Sequence, residues 1–421
     1  MSHYKDPFNE YNALPIVNSI EIKLRQQIVL LQVIPDQIRN YNILFITENN
    51  HDVYAAGDNT QGCLGLEHNK PVFDKPELVQ DLQSKNIVQI ATGYLFVIAI
   101  SRFGDIYSWG MNTSGQLAQS VKCPQVNKPT KIPVSLPKST HMVKVACGYA
   151  FAAVLTVYKD VFTFGDNTCG QLGLGSGHQN VAHINQICDI DKVCEISCGA
   201  NHLAMLSIDH TKIYFCGDNR FGQLGVSTNV LKVDKPILLE LPLKLNEIIK
   251  SISCGENHTL VLMSSGMIYS FGDNRYGQLG RNCQTIEIYD SVPKSIQASE
   301  LFDQLFTINL SNISVAKSSS RKNQLYIWGE IKRKGLHQKQ IQQWRKQSDE
   351  QLKLNKYDKL PINKDDSPVN TKNILVRPHL TYLSSVLKLF ALYEPNCLTY
   401  SIELVFDKSS RKGSKIINNR R

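Results

Sequence analysis

The chain has 421 residues, 42% hydrophobic content and a formal net charge of +9. This content is sufficient for a large core, yet no stretch approaches the roughly 18 apolar residues that a membrane-spanning helix requires. The polar first residues lack the apolar core of a signal peptide, and eleven cysteines are an odd number for a disulfide framework. We therefore expect a protein of the cytoplasm, the nucleus or both, with reduced thiols and no membrane span.

The first predicted elements are strands. We assign residues 1–26 to an N-terminal segment that precedes the folded part. Gln27–Ile34 and Tyr41–Thr47 are rich in β-branched residues and predict two strands, which a third strand at His51–Ala56 follows. The start of the chain is therefore predicted to be β-structure.

A repeated unit, G-x-N-x-x-G-Q-L-G, organises the next part of the chain. Copies begin at Gly57, Gly110, Gly165, Gly217 and Gly272, and a degraded copy begins at Gly329. Successive copies are 53, 55, 52, 55 and 57 residues apart, which chance matches to a short glycine motif would not produce. The chain is therefore predicted to be a repeat array.

Glycine and asparagine at fixed positions indicate a turn in each copy, because glycine supplies positive φ and asparagine bonds nearby backbone amides. The Asp-Asn pairs at 58/59, 166/167, 218/219 and 273/274 could also be imagined as metal or phosphate ligands, but their repetition favours a structural role. The predicted structural turn residues are Gly57, Asn59, Gly62, Gly110, Asn112, Gly115, Gly165, Asn167, Gly170, Gly217, Asn219, Gly222, Gly272, Asn274 and Gly277.

Each unit also predicts a hairpin before its turn. A second glycine lies 17 or 18 residues upstream of four of the turns, at Gly93, Gly148, Gly199 and Gly255. Between the two glycines run apolar, β-branched segments separated by a short polar turn. A proline-marked strand follows the turn, as at Pro76, Pro129, Pro236 and Pro293, which suits an edge strand. Four strands per unit make one propeller blade.

The period and the glycines resemble the regulator of chromosome condensation repeat family. The resemblance implies an all-β, seven-bladed propeller of four-stranded blades, with the last blade closed by N- and C-terminal strands. Residues 27–330 are predicted to form the propeller with six recognisable repeats. Further strands predicted at Val386–Tyr393 and Leu398–Phe406, within residues 374–407, are expected to close the ring by pairing the two termini.

Within that family, the order of features is most similar to proteins that join the propeller to a BTB domain. The shared features are the segment ALPIV, the first motif GCLG and a strand that begins at Pro378. Only about 15 residues follow the last predicted strand, whereas a BTB domain needs roughly 100. We therefore expect this chain to lack the module through which those relatives are thought to engage cullin ubiquitin ligases.

Basic residues are concentrated in the last part of the chain. From Lys317 onward there are 22 Lys and Arg against 9 Asp and Glu, whereas the preceding part has 24 against 28. Residues 331–373 are predicted to be a basic disordered insertion, and residues 408–421 a basic disordered tail. Such segments either contact an anionic partner or are simply solvated, and no aromatic platform accompanies the charges.

Residues with catalytic or ligating chemistry follow the repeat. Cys147, Cys198 and Cys254 occupy equivalent positions, as do His202 and His258, so we interpret them as buried structural residues. Cys188, Cys194 and Cys198 offer only part of a zinc site, because no second pair completes it. Gly170–Gly177 lacks the Gly-Lys-Ser/Thr ending of a phosphate loop. We predict no catalytic residue, no metal, no cofactor and no enzyme activity.

A scaffold or adaptor that binds another protein is the leading hypothesis. The repeated residues are interpreted as structural, whereas the sequences of the loops differ from unit to unit. The predicted contact surface therefore comprises the loops Glu67–Asp74, Ser120–Lys128 and Ser227–Asp234. The resemblance implies a small GTPase or the ubiquitination machinery as partner. The alternative is nucleotide exchange on a small GTPase. The resemblance implies that such an exchanger inserts an extra hairpin of one blade at the nucleotide site, and no blade of this sequence contains an extra hairpin. A third hypothesis is that the basic C-terminal segment binds nucleic acid or an anionic membrane.

Overall fold

The computed structural model describes residues 19–25, 27–36, 40–67, 71–134, 140–177, 179–241, 247–281, 288–296, 298, 301–307, 311–319, 325–330, 332–333, 374–381, 393–394 and 402–405. Their regular elements are strands apart from one short helix, Ile22–Arg25, and one 3₁₀ turn, Gln80–Leu82, and turns and loops connect them. Within this part of the chain, no helix has the length and apolarity to cross a bilayer. The prediction of an all-β fold is confirmed.

Six sheets of antiparallel strands follow one another along the chain as propeller blades. In the second to sixth sheets, the strand that comes first in the chain is the inner strand, because these first strands contact one another from sheet to sheet. The first blade consists of Ile28–Asp36, Asn40–Thr47, Val53–Asp58 and Val72–Leu78. The second consists of Ile87–Thr92, Phe96–Ser101, Ile106–Met111 and Gln125–Lys131. The third consists of Met142–Cys147, Phe151–Thr156, Val161–Asp166 and Asn180–Gln186.

The later blades repeat this pattern. The fourth consists of Val193–Cys198, His202–Ser207, Ile213–Asp218 and Lys232–Leu239. The fifth consists of Ile249–Cys254, His258–Met263, Ile268–Asp273 and Tyr289–Ser295. The sixth consists of Phe302–Thr307, Ile313–Ser318, Leu325–Glu330 and Ile374–Thr381. In the sixth blade, residues 331–373 therefore separate the third strand from the outer strand.

The two ends of the folded chain meet in the first blade. Ile402–Val405 pairs antiparallel with the free edge of Ile28–Asp36, with Leu31 opposite Leu404. The predicted pairing of the termini is thus seen. Both N-terminal strands belong to the first blade, because their register continues into its third strand, as Phe45 opposite Tyr54 shows.

A seventh blade is consistent with the six that are described. Of the strands predicted at 386–393 and 398–406, only Tyr393 and Ile402–Val405 lie within the described residues. Of the predicted insertion, residues 331 and 334–373 lie outside them, as does the tail at 408–421. Lys332–Arg333 pairs with Tyr393–Glu394 in a two-stranded ladder.

The hydrophobic core lies between blades. Each of five buried clusters combines residues of two successive blades, such as Phe215 of the fourth blade and Phe271 of the fifth. Their ring centroids are 5.8 Å apart in an edge-to-face arrangement. The residue before the first glycine of each repeat is completely buried, at Ala56, Trp109, Phe164, Cys216, Phe271 and Trp328. Blade association therefore supplies most of the apolar burial.

Candidate functional site

One face of the propeller carries both the glycines of the repeat turns and the glycines that lie 17 or 18 residues upstream of them. In an antiparallel blade, the loop after the inner strand and the loop after the third strand lie at the same end. In the fourth blade, the Asp218 amide at the end of the third strand donates to the Asn201 carbonyl in the loop after the inner strand, at 2.8 Å. We call this side the loop face, and the side with the second-to-third-strand turns the turn face.

Close approach of two strands explains the first glycine of the repeat. Gly217 has φ +111°, and a Cβ atom there would meet the Asn201 carbonyl oxygen and lie 2.7 Å from His202 Cα. An L side chain is disfavoured both by that φ and by the missing space. The other first glycines of the repeat, Gly57, Gly110, Gly165, Gly272 and Gly329, also have φ values between +101° and +127°.

The repeat asparagines hold the loops on this face. Their Oδ1 atoms accept hydrogen bonds of 2.9 to 3.2 Å from leucine amides five residues later, in the pairs Asn59–Leu64, Asn112–Leu117, Asn167–Leu172, Asn219–Leu224 and Asn274–Leu279. In the fourth blade, Nδ2 of Asn219 also donates to the carbonyls of Val226, Ser227 and Val230. These amides are therefore occupied with backbone groups.

The glycine before each Gln-Leu pair of the repeat turn brings its loop against the next blade. A Cβ atom on Gly222 would lie 2.6 Å from Ser291 Cα, in the outer strand of the fifth blade. Gly62, Gly115 and Gly170 meet the outer strand of the following blade in the same way, and Gly277 has a similar φ of +73°. The repeat turns thus join neighbouring blades.

A chain of backbone hydrogen bonds surrounds the central axis on the loop face. The amide of Tyr94 donates to the carbonyl of Tyr149, and Tyr149 donates in turn to Ala200. The amide of Ala200 donates to the carbonyl of Glu256, and the amide of Glu256 donates to the carbonyl of Ser311. All four donor–acceptor distances are 2.8 to 3.0 Å. The rings of Tyr94 and Tyr149 stack with centroids 4.6 Å apart. Five successive blades are therefore connected at their innermost loops.

The two repeat histidines are completely buried between blades. Nε2 of His202 lies 3.1 Å from Thr259 Oγ1, and Nε2 of His258 lies 2.9 Å from Ser314 Oγ. Burial lowers the pKa of His202 to about 4 and that of His258 to about 3. Neither ring is accessible to a substrate.

Burial also accounts for the thiols. It raises the pKa of Cys254 to about 12 and raises the pKa of Cys147 and Cys198 well above that of an ordinary thiol. Cys194 is partly buried, with Sγ 3.2 Å from the Ser207 carbonyl and 3.9 Å from His210 Nε2, whereas Cys188 is exposed. Among the described residues, no group of three His, Cys, Asp or Glu side chains could hold a metal ion.

The glycine-rich segment Gly170–Gly177 leads into a strand. Two backbone hydrogen bonds close its first turn. The amide of Gly170 donates to the carbonyl of Asn167, and the amide of Gly173 donates to the carbonyl of Gly170. The outer strand of the third blade begins at Asn180, so the helix that follows a phosphate loop does not occur here. The glycines are part of the blade.

The three predicted contact loops lie on the loop face, at the start of three outer strands. Residues 68–70 of the first loop lie outside the described part of the chain. Glu67 and Lys128 form an exposed ion pair of 2.8 Å that joins the first and second loops. They line a groove of about 430 Å³ together with Ser120 and Cys123. Ser227–Asp234 lies two blades further on.

Sequence reasoning missed two arginines beside the repeat aspartates. Asp218 and Asp273 are buried at the edge of the loop face, and each accepts hydrogen bonds from the arginine two residues later, Arg220 and Arg275. The Arg275 guanidinium also lies 4.7 Å from the ring centroid of Phe221 in the preceding blade. The signal was a break in the repeat, because the first three blades have threonine at this position.

Comparisons with known proteins agree with this architecture. Residues 32–359 match the family model described as RCC1-like domain. The chain is 30% identical to the probable E3 ubiquitin-protein ligase HERC6 of Homo sapiens over 265 residues, 61% of this chain and 25% of that protein. It is 34% identical to the probable E3 ubiquitin-protein ligase HERC4 of Rattus norvegicus over 217 residues, 51% of this chain and 20% of that protein. The chain thus corresponds to a fifth to a quarter of these relatives.

A solved structure has the same fold. The crystal structure of Prp20p from Saccharomyces cerevisiae, described together with its binding properties to Gsp1p and histones, superimposes with a TM-score of 0.60. The superposition covers 78% of this chain and 85% of that one, at 20% sequence identity. Identity at this level establishes the fold alone.

Proposed function

Because the chain belongs to the RCC1-like domain family, we propose that it is a protein-binding platform whose loop face contacts the partner. One observation carries this proposal: the framework of the face is constant while its exposed side chains differ. The asparagine-to-leucine hydrogen bond recurs in five blades. The residue after that asparagine changes from Thr60, Thr113 and Thr168 to Arg220 and Arg275. Fixed loops with variable side chains are typical of recognition surfaces.

The chemistry of buried groups also favours binding over catalysis. The histidines and the repeat asparagines are bonded to neighbouring blades or loops, and burial keeps the thiols of Cys147, Cys198 and Cys254 protonated. A nucleophile or general base needs access to a substrate and a pKa near the working pH. The ligase activity named for the two relatives belongs to proteins four to five times as long as the matched region.

Recruitment of a protein to ubiquitin transfer is the finer role that we propose. Its support is the identity of 30% and 34% with the two probable ubiquitin ligases. The test is quantitative affinity capture from cells with the full chain, followed by reconstitution of the strongest partner from purified components. We expect a protein substrate or component of ubiquitin transfer that binds directly. A purified candidate that fails to bind, or that binds equally well to heat-denatured chain, would contradict the proposal.

Regulation of a small GTPase is a second candidate. The observation in its favour is the fold shared with Prp20p, whose binding to Gsp1p is part of that structure's description. In the second to fifth blades, the turns between the second and third strands have only four or five residues and carry no inserted hairpin. Release of fluorescent GDP from a panel of small GTPases tests this function. Clear acceleration by the full chain would place exchange above the platform role.

A further inference from the structure

The fourth and fifth blades differ from the first three at equivalent positions of the loop face. The backbone amide of each repeat asparagine donates to the carbonyl of the residue just before the outer strand. This hydrogen bond identifies the equivalent residue in each blade. That carbonyl belongs to Pro71, Pro124 and Gln179 in the first three blades, and to Leu231 and Ile288 in the next two. The same two blades carry Arg220 and Arg275 in place of threonine. Two adjacent blades therefore share a chemistry that the first three lack.

These side chains lie on loops that contact one another. The backbone amide of Asn219, the residue before Arg220, donates to the carbonyl of Leu231. The same loop packs through Gly222 on Ser291 of the fifth blade, next to Tyr289 and Ile288. Arg275 closes the arrangement by covering the Phe221 ring. We call Arg220, Phe221, Leu231, Arg275, Ile288 and Tyr289 the two-blade patch.

Large apolar side chains of the patch are exposed to solvent. Leu231 is 62% exposed, Ile288 50% and Tyr289 43%. Single exposed apolar residues are common, but a cluster on adjacent loops is characteristic of an interaction surface. Aromatic residues and arginine are also the residue types that contribute most at protein interfaces. The patch therefore has the composition of a binding site.

The arginines are held in place and electrically compensated. Arg220 bonds the buried Asp218 through Nε and Nη2 at 2.9 Å, and Arg275 bonds the buried Asp273 through the same two nitrogens at 2.8 to 3.1 Å. Among the described residues, Nη1 of either arginine has no bonded acceptor. A fixed guanidinium loses little conformational entropy when it donates to a further acceptor.

This compensation decides which acceptor fits. A second carboxylate or a phosphate would leave each arginine site with net negative charge beside a buried aspartate, which is unfavourable. A backbone carbonyl accepts the Nη1 hydrogen bond without adding charge. The surrounding leucine, isoleucine and tyrosine require an apolar side chain as the neighbour of that carbonyl.

We propose that the two-blade patch binds an uncharged segment of a partner protein, with an aliphatic or aromatic side chain on the apolar residues and backbone carbonyls on Arg220 and Arg275. The proposal rests on the platform function and specifies where and what the platform binds. It predicts an affinity that depends on apolar burial and only weakly on ionic strength, because no net charge is neutralised.

The test is selection of random peptides displayed on phage against the full chain, followed by affinities of the selected peptides as labelled synthetic probes. We expect selected peptides with aliphatic or aromatic residues and net charge near zero. The double variant L231S/I288S and the variant R275Q should each weaken binding at least about tenfold, or about 1.4 kcal/mol. The matched control T168A/Q179S, at the third-blade positions equivalent to Arg275 and to Leu231 and Ile288, should leave affinity unchanged.

Three outcomes would overturn the proposal. The first is selection of acidic peptides whose binding disappears at high salt, and the second is the absence of any enriched peptide. The third is affinity that L231S/I288S and R275Q leave unchanged, which would reject the patch but not the platform, since the peptide would then bind elsewhere on the propeller. Circular dichroism and urea unfolding of each variant establish that altered affinity comes from a folded chain, which R275Q requires in particular because Arg275 bonds the buried Asp273.

Discussion

Nε2 of His202 in the fourth blade lies 3.1 Å from the hydroxyl oxygen of Thr259 in the fifth, and both side chains are completely buried. The Thr259 hydroxyl donates to the Gln223 carbonyl at 2.8 Å, so it must accept from the imidazole. His258 repeats the arrangement with Ser314 and the Gln278 carbonyl. The two hydrogen-bond relays therefore assign both histidines as neutral rings protonated on Nε2.

Acid should destabilise the propeller through these two histidines. Their pKa values are about 4 and about 3 in the folded protein, against 6.5 for an ordinary histidine. Between these values the unfolded chain binds more protons, so the free energy of unfolding falls as pH is lowered from about 6.5 towards 4. A pKa difference of one is worth about 1.4 kcal/mol per group. Urea unfolding midpoints at about pH 7 and about pH 5 measure this loss.

The variant H202Q separates this effect from general acid denaturation. Glutamine can still donate to Thr259 but does not titrate, so H202Q should show a smaller drop in midpoint between the two pH values. H183Q, at an exposed histidine of the third blade, should behave like the wild type. An equal drop in all three proteins would show that the buried relay does not control acid stability.

Alanine at Gly217 should be far more costly than alanine at Gly177. Both glycines have positive φ, +111° and +107°, so both substitutions carry backbone strain. A Cβ at Gly217 would collide with the backbone of Asn201 and His202, whereas nothing lies within 4 Å at Gly177. We expect G217A to lose about 1 to 3 kcal/mol more than G177A in urea unfolding. Equal losses would mean that strand proximity does not select glycine.

Removal of the Asn219 side chain should loosen its loop. The buried amide accepts from Leu224 and donates to three carbonyls between 226 and 230. N219A leaves these groups without a partner, which should cost about 1 to 3 kcal/mol and accelerate amide exchange across 224–231. N229A, at an exposed position of the same loop, is the control. Unchanged exchange in N219A would contradict the assigned role.

Buried and exposed ion pairs should respond differently to loss of one partner. Arg281 and Asp290 lie 2.7 Å apart with side chains 8% and 6% exposed. Burial alone would raise the pKa of Asp290, but hydrogen bonds from Lys294 and Arg281 outweigh it and lower the pKa. D290N should destabilise the fifth blade by about 3 to 5 kcal/mol.

The exposed pair Lys128–Glu67 provides the comparison. Its side chains are 47% and 64% exposed, so K128M should leave the free energy of unfolding nearly unchanged. Thermal or urea unfolding of both variants gives the difference. A loss in K128M as large as that in D290N would be inconsistent with burial as the controlling factor.

Local rules made the blades predictable from sequence. Gly217 and its equivalents have a conformation that other residues rarely adopt, and the asparagines bond residues only five positions away. Such short-range requirements recur with the period of the blade and are visible without a structure. Proline likewise marked the outer strand of every described blade except the third, including Pro378 in the sixth blade.

Relations between blades were not predictable in the same way. The His202–Thr259 contact joins residues 57 positions apart, and Gly222 meets Ser291 only because successive blades associate. The assignment of Ile28–Asp36 to the first blade depends on its pairing with Asn40–Thr47, for which no repeat glycine gives a signal. The two-blade patch was visible only as a departure from the repeat, at Arg220 and Arg275.

The most direct test of the platform function is the amide-exchange footprint of the full chain with its first purified partner. The proposal predicts protection concentrated on the loop face, in segments 59–67, 112–124, 167–177 and 219–231, with the strongest protection at 219–231. Protection confined to the turn face, at 102–105, 157–160 and 208–212, would contradict it.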